Sequence, residues 1–423
     1  MKILFLAPQP FFLERGTPIA VRMAVETLAR LGHRVDLLVY HEGEDVTIPG
    51  VRVIRIARPP GVRRVPVGPS WKKIICDCFF LGEFLRAVKR ERYDVIHAVE
   101  EASWMAHWTR GLHRLPFIVD MDSSIPSQIE ETYAWARPLT GGFRRLEGDV
   151  MRGSVAIVAV CKELARVAHG HASSIPIAVI EDAALFDDAG ATGSQSAAAE
   201  TAATATAGTA TAPATGAATV LAKTFRQEFS IPADVPVVLY VGNLQKYQGI
   251  DLLLEAFART KAPGALLIVG GDDAHIAQGK RKATALGLDG RCHWAGPRPV
   301  RDLASYLGQA DLLVSPRLHG VNTPMKIYSY LASGVAILAT DIPSHTQVLT
   351  KDVAVLTAPA PEPFAQGLDQ LLRDASARRR LGENARRLAR AEYSREAFDR
   401  KFERFYRDVE ARVRGNSGGK RAS

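Results

Sequence analysis

Cysteine is scarce in this sequence, and the four that occur are spread along 423 residues. Cys76 and Cys78 are one residue apart, while Cys161 and Cys292 each stand alone. Structural zinc sites and redox pairs use cysteines separated by two or more residues, so this spacing fits neither. We therefore expect reduced thiols, which are typical of a cytosolic protein.

Long apolar runs are also missing. A bilayer-spanning helix needs about 20 consecutive apolar residues, and no segment approaches that length. The apolar start of the chain soon meets Pro8 and Pro10, which favours a buried first strand over a signal peptide. The hydrophobic share of 47% and the charged share of 23% are typical of a soluble globular protein. We expect the protein to be cytoplasmic, either free or peripheral on the inner face of the cell membrane.

Acidic residues are absent from residues 51–76, which contain seven lysines and arginines. One interpretation is a solvated loop and strand face. The other is a patch for anionic lipid headgroups, where each basic residue is worth about 1 kcal/mol. No recognition motif accompanies the charge, so nucleic acid is not expected as a partner. The residues predicted for the membrane patch are Arg63, Arg64, Trp71, Lys72 and Lys73.

Short β-rich runs alternate with helical patterns along most of the chain, as in ILFLA, HRVDLLVY and DVIHAV early on and PVVLYVG, ALLIVGG and VAILAT later. Apolar strands separated by helices are typical of parallel sheets covered on both faces. The length suits two domains. We predict an α/β protein with two Rossmann-like doubly wound domains, at residues 1–186 and 223–393.

Residues 187–222 consist almost wholly of Ala, Thr, Gly and Ser. Such a segment buries too little surface to offset its ordering entropy, so we predict a flexible insertion at the domain linker. A poly-Ala helix is the alternative, which the Thr and Gly residues disfavour. We predict an amphipathic helix at 394–414 that crosses back to the first domain, and a disordered tail at 415–423.

Residues 315–334, SPRLHGVNTPMKIYSYLASG, carry the most informative motif. A strand leads through a Gly/Asn loop into a helix, where Thr323 is suited to be the N-cap and Pro324 the first helical residue. The free N–H groups and dipole of a helix start attract anions, and Arg317 and Lys326 add full positive charge there. The pattern predicts a phosphate-binding site at the end of a strand.

The same segment resembles the donor-binding signature of family-4 retaining glycosyltransferases of GT-B fold. VAILATDIPSHTQVL, VLYVGNLQKYQGIDLLLEAF, YDVIHAVEEAS and LPFIVDMDSSIP resemble further parts of these enzymes. The resemblance implies two domains facing a cleft, a nucleotide-diphosphate sugar bound mainly by the second domain, and a glycan or lipid-linked acceptor approached from the first. It also implies transfer with retention, without metal, cofactor or covalent enzyme nucleophile, and electrostatic stabilisation of the leaving diphosphate.

The resemblance places the donor at Gly242, Asn243, Gln248, Gly320, Val321, Asn322, Thr323, Pro324 and Ser329. Family members usually carry cations on the diphosphate where this chain has Asn243 and Gln248. The usual pair of glutamates falls at Val321 and Ser329, of which only Ser329 could bind a ribose. Two interpretations follow: Arg317 and Lys326 replace the missing cations, with Asn322 orienting the sugar, or the site has decayed into a binding module.

In the first domain, Gly16 and Thr17 resemble the family's loop facing the donor phosphate and the acceptor. His97 ends a predicted strand and is followed by Glu100 and Glu101, and Asp120 lies at the end of another. Gly16, Thr17, Glu100, Glu101 and Asp120 are predicted to lie on the acceptor side. His97 is a catalytic candidate, as are Arg317 and Lys326. The alternative for His97 is packing in the core.

Asp122 lies where the family often has a histidine close to the reacting sugar. An acid there could bond a sugar hydroxyl or take the proton of the acceptor, so Asp122 is predicted to be catalytic. The structural alternative for this acid pair is capping of a loop or helix. A metal site at Asp120 and Asp122 is disfavoured by the order of the strands and helices. Rival functions are a nucleotide-sugar epimerase or hydrolase of the same fold, or a non-catalytic nucleotide-sugar-binding partner in a polysaccharide assembly complex.

Overall fold

The computed structural model describes residues 1–13, 16–65, 70–124, 126, 140–186 and 224–419. The chain divides into two compact units, one of Met1–Asp182 with Phe398–Ser423 and one of Ala183–Ala397. The predicted linker insertion at 187–222 and the last four residues of the predicted tail lie outside the described residues. Among the described helices, none is both long enough and apolar enough to cross a membrane.

The first unit is built on a parallel sheet of seven strands in the order β3-β2-β1-β4-β5-β6-β7. Its central strands are buried on both faces, as the continuous apolar runs predict, while the edge strands β3 and β7 are largely half-buried. The strands are β1 Lys2–Leu6, β2 Arg34–Val39, β3 Val51–Arg55, β4 Val95–Val99, β5 Phe117–Met121, β6 Ala156–Ala159 and β7 Ile177–Val179.

The helices of the first unit follow its strands as crossover connections. They are α1 Gly16–Arg30, α2 Trp71–Arg90, α3 Ala102–Trp108, α4 Arg110–His113, α5 Thr140–Gly153 and α6 Lys162–His171. Helix α2 begins at Trp71, because Ser70 caps it by accepting the N–H of Lys73 at 3.2 Å.

The second unit has a parallel sheet of six strands in the order β10-β9-β8-β11-β12-β13. All six coincide with apolar runs that the sequence predicts as strands. They are β8 Val237–Val241, β9 Ala265–Val269, β10 Cys292–Gly296, β11 Leu312–Ser315, β12 Ile337–Thr340 and β13 Val355–Thr357. The sheet order reverses between β8 and β11, and the carboxyl ends flanking such a switch point are where ligands bind in open α/β sheets.

The helices of the second unit cover both faces of this sheet and bury two apolar clusters against it. They are α7 Phe225–Glu228, α8 Ile250–Arg259, α9 Asp273–Ala285, α10 Leu303–Leu307, α11 Lys326–Ser333, α12 Pro343–Thr346, α13 Pro361–Arg373 and α14 Ala375–Leu388. Short 3-10 turns at Lys246–Gln248 and Val300–Asp302 and a π-turn at Ala389–Tyr393 complete it.

The final helix, α15 at Arg395–Gly419, belongs from Phe398 onward to the first unit. Phe402 and Tyr406 of α15 stack on one another with ring centroids 5.3 Å apart. The Tyr406 ring also lies parallel to that of His97 on β4, at 6.0 Å. The core of the first unit is therefore assembled from the two ends of the chain.

Candidate active site

The loop between β11 and α11 holds most of the residues predicted to bind a donor. Helix α11 begins at Lys326 with Met325 as its N-cap, so the prediction that Thr323 caps the helix is wrong. Pro324 instead accepts the N–H of Ile327 in a preceding turn, at 2.9 Å. The Thr323 hydroxyl is buried, and it has no hydrogen-bond partner among the described residues. A buried hydroxyl of this kind is available to a ligand.

Arg317 is fixed in this loop by the backbone around it. Its Nε donates to the carbonyl of His319 at 2.8 Å, and its Nη1 donates to the carbonyl of Asn322 at 3.0 Å. Gly320 has a φ of +137°, and a Cβ there would lie 2.2 Å from the Arg317 Nη2. Only glycine lets the loop close on the guanidinium, so the Gly/Asn loop holds one cation in place.

Lys326, in the first turn of α11, lies against the end of β8. Its Nζ is 4.0 Å from the centroid of the Tyr240 ring and donates to the Gln248 Oε1 at 3.3 Å. A Cβ at Gly242 would lie 3.4 Å from the same Nζ. The structure thus brings Gly242, Gln248 and Lys326 together, at the point where the sheet order reverses.

The pKa of Lys326 is lowered to about 7, chiefly because burial disfavours the ammonium and secondly because of the Arg317 charge. A buried amine near neutrality beside a second cation gains much from an anion. Arg317 and the buried Lys326 therefore give this loop a positive potential that suits a diphosphate.

The loop after β8 is locked onto the loop after β11. Gly249 has a φ of +76°, and a Cβ there would lie 1.9 Å from the carbonyl oxygen of Pro316. Leu318 donates its N–H to the carbonyl of Tyr247 at 2.9 Å. The Arg317 guanidinium lies 5.3 Å from the Tyr247 ring centroid. Asn243 contributes its backbone carbonyl, which accepts the Tyr240 hydroxyl at 2.6 Å.

His345 is a buried residue of this region that the sequence analysis did not single out. Its Nε2 is 2.9 Å from the Ser315 Oγ at the end of β11, and its Nδ1 is 2.9 Å from the carbonyl oxygen of Thr340. The pKa of His345 is lowered to about 3, chiefly by burial and also by the charges of Lys326 and Arg317, against the opposing hydrogen bond to the Thr340 carbonyl. The neutral imidazole links the ends of β11 and β12. The only feature of the sequence that could have indicated a role for His345 is the resemblance of its segment, DIPSHTQVL, to the family.

One predicted donor contact, Ser329, does not fit the structure, while that of Val321 stays a prediction. Ser329 is fully buried, and its Oγ accepts the N–H of Leu185 at 3.2 Å, so this hydroxyl has no path to a ribose. Val321 presents its backbone carbonyl to the Nε2 of Gln347 at 2.8 Å. Ser329 lies in the stretch of α11 from Ile327 to Leu331 in which every residue is buried.

In the first unit, His97 is a core residue rather than a catalytic one. Its side chain is fully buried, with Nε2 at 2.8 Å from the Asp120 Oδ2 and Nδ1 at 2.7 Å from the Tyr406 hydroxyl. The ring stacks on Phe5 at 4.3 Å. Both nitrogens are engaged and both faces are covered, so the imidazole cannot reach a substrate. It holds Asp120 and α15 in position.

Carboxylates gather at the carboxyl edge of the first sheet. The pKa of Asp122 is raised well above its usual value by burial, then by the charges of Asp120, Glu100 and Asp182. The pKa of Asp182 is raised to about 7 by burial, then by Asp120 and Glu181. Glu100 accepts the Ser123 hydroxyl at 2.6 Å. A group of this kind can hold or take a proton near neutral pH.

Glu101 is paired with Lys73, which corrects the prediction for that lysine. The Lys73 Nζ lies 2.6 Å from the Glu101 Oε1, and neither side chain is fully exposed. Burial raises the pKa of Glu101 to about 7 against the opposing effect of Lys73. Lys73 therefore points toward the acidic edge of the sheet and does not belong to an outward patch.

The outer side of α2 carries apolar residues that the sequence analysis did not name, apart from Trp71. The Trp71 side chain is 63% exposed and that of Ile74 65% exposed. Within the described residues, every large apolar side chain that is exposed belongs to the first unit: Trp71, Ile74, Phe79, Trp108, Leu112 and Leu146. Arg63 and Arg64 are exposed in the segment before α2, and Lys72 lies beside Trp71.

The remaining acceptor-side residues stay predictions. Helix α1 begins at Gly16, which is exposed, and Thr17 follows in its first turn. Across the described ranges, three or more His, Cys, Asp or Glu side chains do not come together in a way that could hold a metal ion.

Comparison with known proteins gives a consistent result for both units. Residues 15–181 match the model of the family described as glycosyl transferase 4-like domain, and residues 222–388 match that of glycosyl transferases group 1. The lipopolysaccharide core biosynthesis glycosyltransferase LpsE of Rhizobium meliloti is 30% identical over 185 residues, which are 43% of this chain and 53% of that protein. A D-inositol 3-phosphate glycosyltransferase of Corynebacterium glutamicum is 27% identical over 38% of this chain and 40% of its own. The matched part thus spans about half or less of these curated relatives.

Solved structures resemble the fold over nearly the full length. A sucrose-phosphate synthase from Thermosynechococcus elongatus has a TM-score of 0.73 at 19% identity, covering 97% of this chain and 99% of that one. HepE from Anabaena in complex with UDP has a TM-score of 0.70 at 14% identity, covering 96% and 100%. At these identities the likeness shows the fold alone.

Proposed function

The chain belongs to the family-4, group 1 glycosyltransferases of GT-B fold, and we propose that it moves a sugar from a nucleotide-diphosphate sugar onto a glycan or lipid-linked acceptor. The observation that carries this proposal is the meeting of Arg317 and Lys326 at the start of α11. Two cations held by backbone carbonyls and by burial are preorganised for the charge that develops on a leaving diphosphate.

The proposed reaction needs only groups that the chain supplies. An acceptor hydroxyl attacks the anomeric carbon and loses its proton, the bond from that carbon to the diphosphate oxygen breaks, and the nucleoside diphosphate leaves. Arg317 and Lys326 bind the diphosphate oxygens, and the Thr323 hydroxyl donates a further hydrogen bond. Asp122, whose raised pKa makes it a better base, accepts the proton or bonds a sugar hydroxyl. We propose retention of configuration, with no covalent enzyme nucleophile and no metal.

A nucleotide-binding experiment tests the donor site. Thermal unfolding is measured with UDP, GDP, ADP, CMP and their sugar conjugates, beginning with UDP-glucose, because the Anabaena relative has been solved with UDP and UDP-glucose. A ligand at 100 times its Kd adds about 2.7 kcal/mol of stability. We expect one diphosphate to raise the Tm, and Arg317→Ala to abolish the shift.

The matched control is Arg301→Ala, because Arg301 lies in the same unit with a side chain that is 79% exposed. This variant should keep the full shift. If no nucleotide shifts the Tm of the native protein, the proposed donor binding is wrong; if Arg317→Ala retains the shift, the donor site is elsewhere. If a nucleotide sugar binds but is neither transferred nor hydrolysed, the chain is the non-catalytic binding partner instead.

We propose further that the first unit rests on an anionic membrane through the outer side of α2. Trp71, Ile74 and Cys78 share one side of the helix by their spacing of three and four residues. Phe84 of α2 packs on His113 of α4 with ring centroids 5.6 Å apart, which places the exposed Leu112 next to α2. Apolar side chains flanked by Arg63, Arg64 and Lys72 have the composition of an interfacial surface.

Vesicle sedimentation tests the membrane proposal. We expect Trp71→Ser with Ile74→Ser to abolish binding to vesicles of phosphatidylglycerol and phosphatidylcholine, and Arg63→Gln with Arg64→Gln to make the remaining binding insensitive to salt. Leu146→Ser is the control, because Leu146 is less exposed, at 39%, and lies on another helix. Undiminished binding by the Trp71 and Ile74 variant would overturn the assignment to α2.

A further inference from the structure

An open cavity of about 420 Å³ lies in the first unit at the amino ends of β6 and β7. It is lined by Arg110, Arg152 and Arg412, with Val155 and Ile175 as its apolar wall. The amino and carboxyl ends of parallel strands lie at opposite edges of the sheet, one strand length apart, so the acidic edge that contains Asp122 is opposite this cavity. The transfer reaction makes no use of this cavity.

Two of the three arginines are held by backbone carbonyls. The Arg110 Nη1 donates to the carbonyl of Gly153 at 3.3 Å, and the Arg152 Nη1 donates to that of His171 at 2.9 Å. A Cβ at Gly153 would lie 2.5 Å from the His107 Nδ1, so glycine is required for this wall of the cavity to close. A guanidinium has five N–H donors, and each anchored head keeps several for a ligand.

The charge around the cavity is positive and only partly offset. None of the described residues that line it carries a carboxylate. Arg152 reaches Asp149 at 2.5 Å, whereas no ion pair of Arg110 or Arg412 occurs among the described residues. The pKa of His107 is lowered by burial and then by Arg110, and the pKa of His171 by burial and then by Arg152 and Arg144. Asp149 acts in the opposite direction on the pKa of His107, and Glu147 lies 3.9 Å from the His171 Nε2, so carboxylates offset part of the arginine charge at both histidines.

We propose that this cavity is a second binding site, separate from the donor site, for a ligand that bears a phosphate group. Guanidinium groups match phosphate oxygens in bidentate geometry, and three converging on one cavity can bind a monoester or a diester. The apolar wall at Val155 and Ile175 receives the carbon skeleton next to the phosphate. A soluble phosphorylated sugar and a lipid headgroup share this chemistry.

Calorimetric titration of the full chain tests the site. The probes are inorganic phosphate and glycerol phosphate, and the variant is Arg110→Gln with Arg412→Gln, which removes the two arginines without an ion pair. We expect the affinity for both probes to fall at least tenfold. The control is Arg379→Gln with Arg380→Gln, two exposed arginines of the second unit, which removes the same charge and should leave the affinity unchanged.

A spectroscopic measurement localises the binding. Because a bound phosphate offsets the Arg110 and Arg152 charges, the pKa of His107 and of His171 should rise when phosphate is added, as followed by NMR of labelled histidine rings. The rise should be lost in the Arg110 and Arg412 variant. Equal phosphate affinity in the variant and the native protein, or histidine pKa values that phosphate does not move, would overturn the proposal.

Vesicles distinguish the two sources of phosphate. If the Arg110 and Arg412 variant loses binding to phosphatidylglycerol vesicles as well as affinity for glycerol phosphate, while the Arg379 and Arg380 control keeps both, the site takes a lipid headgroup. If vesicle binding is unchanged while the affinity for glycerol phosphate falls, the site takes a soluble ligand. Neither result depends on donor binding, so a failure here is distinct from a failure of the proposed transfer reaction.

Discussion

If the donor binds as proposed, the buried side chain of Lys326 sets the pH range in which it binds. Its pKa is lowered to about 7, so in the free protein the amine is charged below pH 7 and neutral above it. A diphosphate stabilises only the charged form. Binding must therefore return a proton to Lys326 whenever the pH lies between 7 and the higher pKa of the complex.

We predict that the Kd for the nucleoside diphosphate rises about tenfold for each pH unit above 7, because one proton is taken up on binding in that range. Isothermal titration between pH 7 and pH 9, in buffers of different ionisation enthalpy, measures both the affinity and the proton uptake. Lys326→Arg keeps its charge throughout and should bind with an affinity independent of pH. A wild-type Kd that does not change over this range would contradict the lowered pKa.

Asp122 allows catalysis and stability to be separated. Its pKa is raised in the folded state, so the ionised carboxylate opposes folding at neutral pH. We predict that Asp122→Asn lowers kcat about 10²- to 10⁴-fold, the usual contribution of a general base, and leaves the Tm at or above that of the native protein. Steady-state transfer assays and thermal unfolding measure the two effects.

Asp120→Asn is the contrasting variant, because Asp120 is hydrogen-bonded to the buried His97. It should lower the Tm, since that imidazole loses a charged partner. Full transfer activity in Asp122→Asn would show that the acceptor proton goes elsewhere.

The contact between the loop after β8 and the loop after β11 leaves no room for a side chain at Gly249. At Gly249 a side chain would meet both a φ of +76° and the Pro316 carbonyl oxygen. We predict that Gly249→Ala destabilises the second unit by more than about 3 kcal/mol, because backbone strain of about 1–3 kcal/mol is joined by a clash with a main-chain atom. Chemical denaturation measures the loss.

Gly287 provides the matched comparison, since its φ is +69° and nothing lies within 4 Å of an added Cβ. Gly287→Ala should cost only the conformational part, about 1 kcal/mol. Equal effects at the two glycines would mean that the β8 loop can move away from Pro316.

The sequence predicted most strands and helices of both units, because long apolar runs with regular spacing specify buried parallel strands. It missed β7, whose three residues are too few to show a pattern and which is an edge strand that only its pairing with β6 reveals. It placed the start of α11 too early, because Thr323 and Pro324 have the residue types of a cap, while the backbone turns only at Met325.

The predicted site residues also divide into those that the sequence placed correctly and those whose placement depends on distant parts of the chain. Arg317 and Lys326 were predicted from a strand end and charge, Gly242 and Gln248 from the family resemblance, and the four do come together. The burial of His97 and Ser329 could not be predicted, because it depends on Tyr406 and Leu185, which are 309 and 144 residues distant in the chain. The arginine cavity left no local signal, since its three arginines come from three separate helices.

At the scale of the whole molecule, the two units predict two unfolding transitions. Each has its own sheet and core, and the first includes Phe398–Ser423. We predict that a chain ending at Ala397 loses at least about 10 °C from one transition, because Phe402 and Tyr406 leave the core and each buried aromatic is worth about 3–5 kcal/mol. Differential scanning calorimetry measures both midpoints.

The nucleotide identifies the other transition, because it should raise only the midpoint of the second unit. Leu371→Ala, at a fully buried position of that unit, should lower that midpoint and leave the first unchanged. A single transition that shifts as a whole in every case would show that the units unfold together.

The pairing of His97 with Tyr406 has a consequence for the synthesis of the protein. The two residues are 309 positions apart, and the whole second unit is made between them. At about 5–20 residues per second, the ribosome needs roughly 15–60 seconds to travel from one to the other. Throughout that time the nascent first domain lacks the Tyr406 partner of His97 and the rest of its last helix, so the part of the chain that is translated first cannot complete its core until the last residues are made.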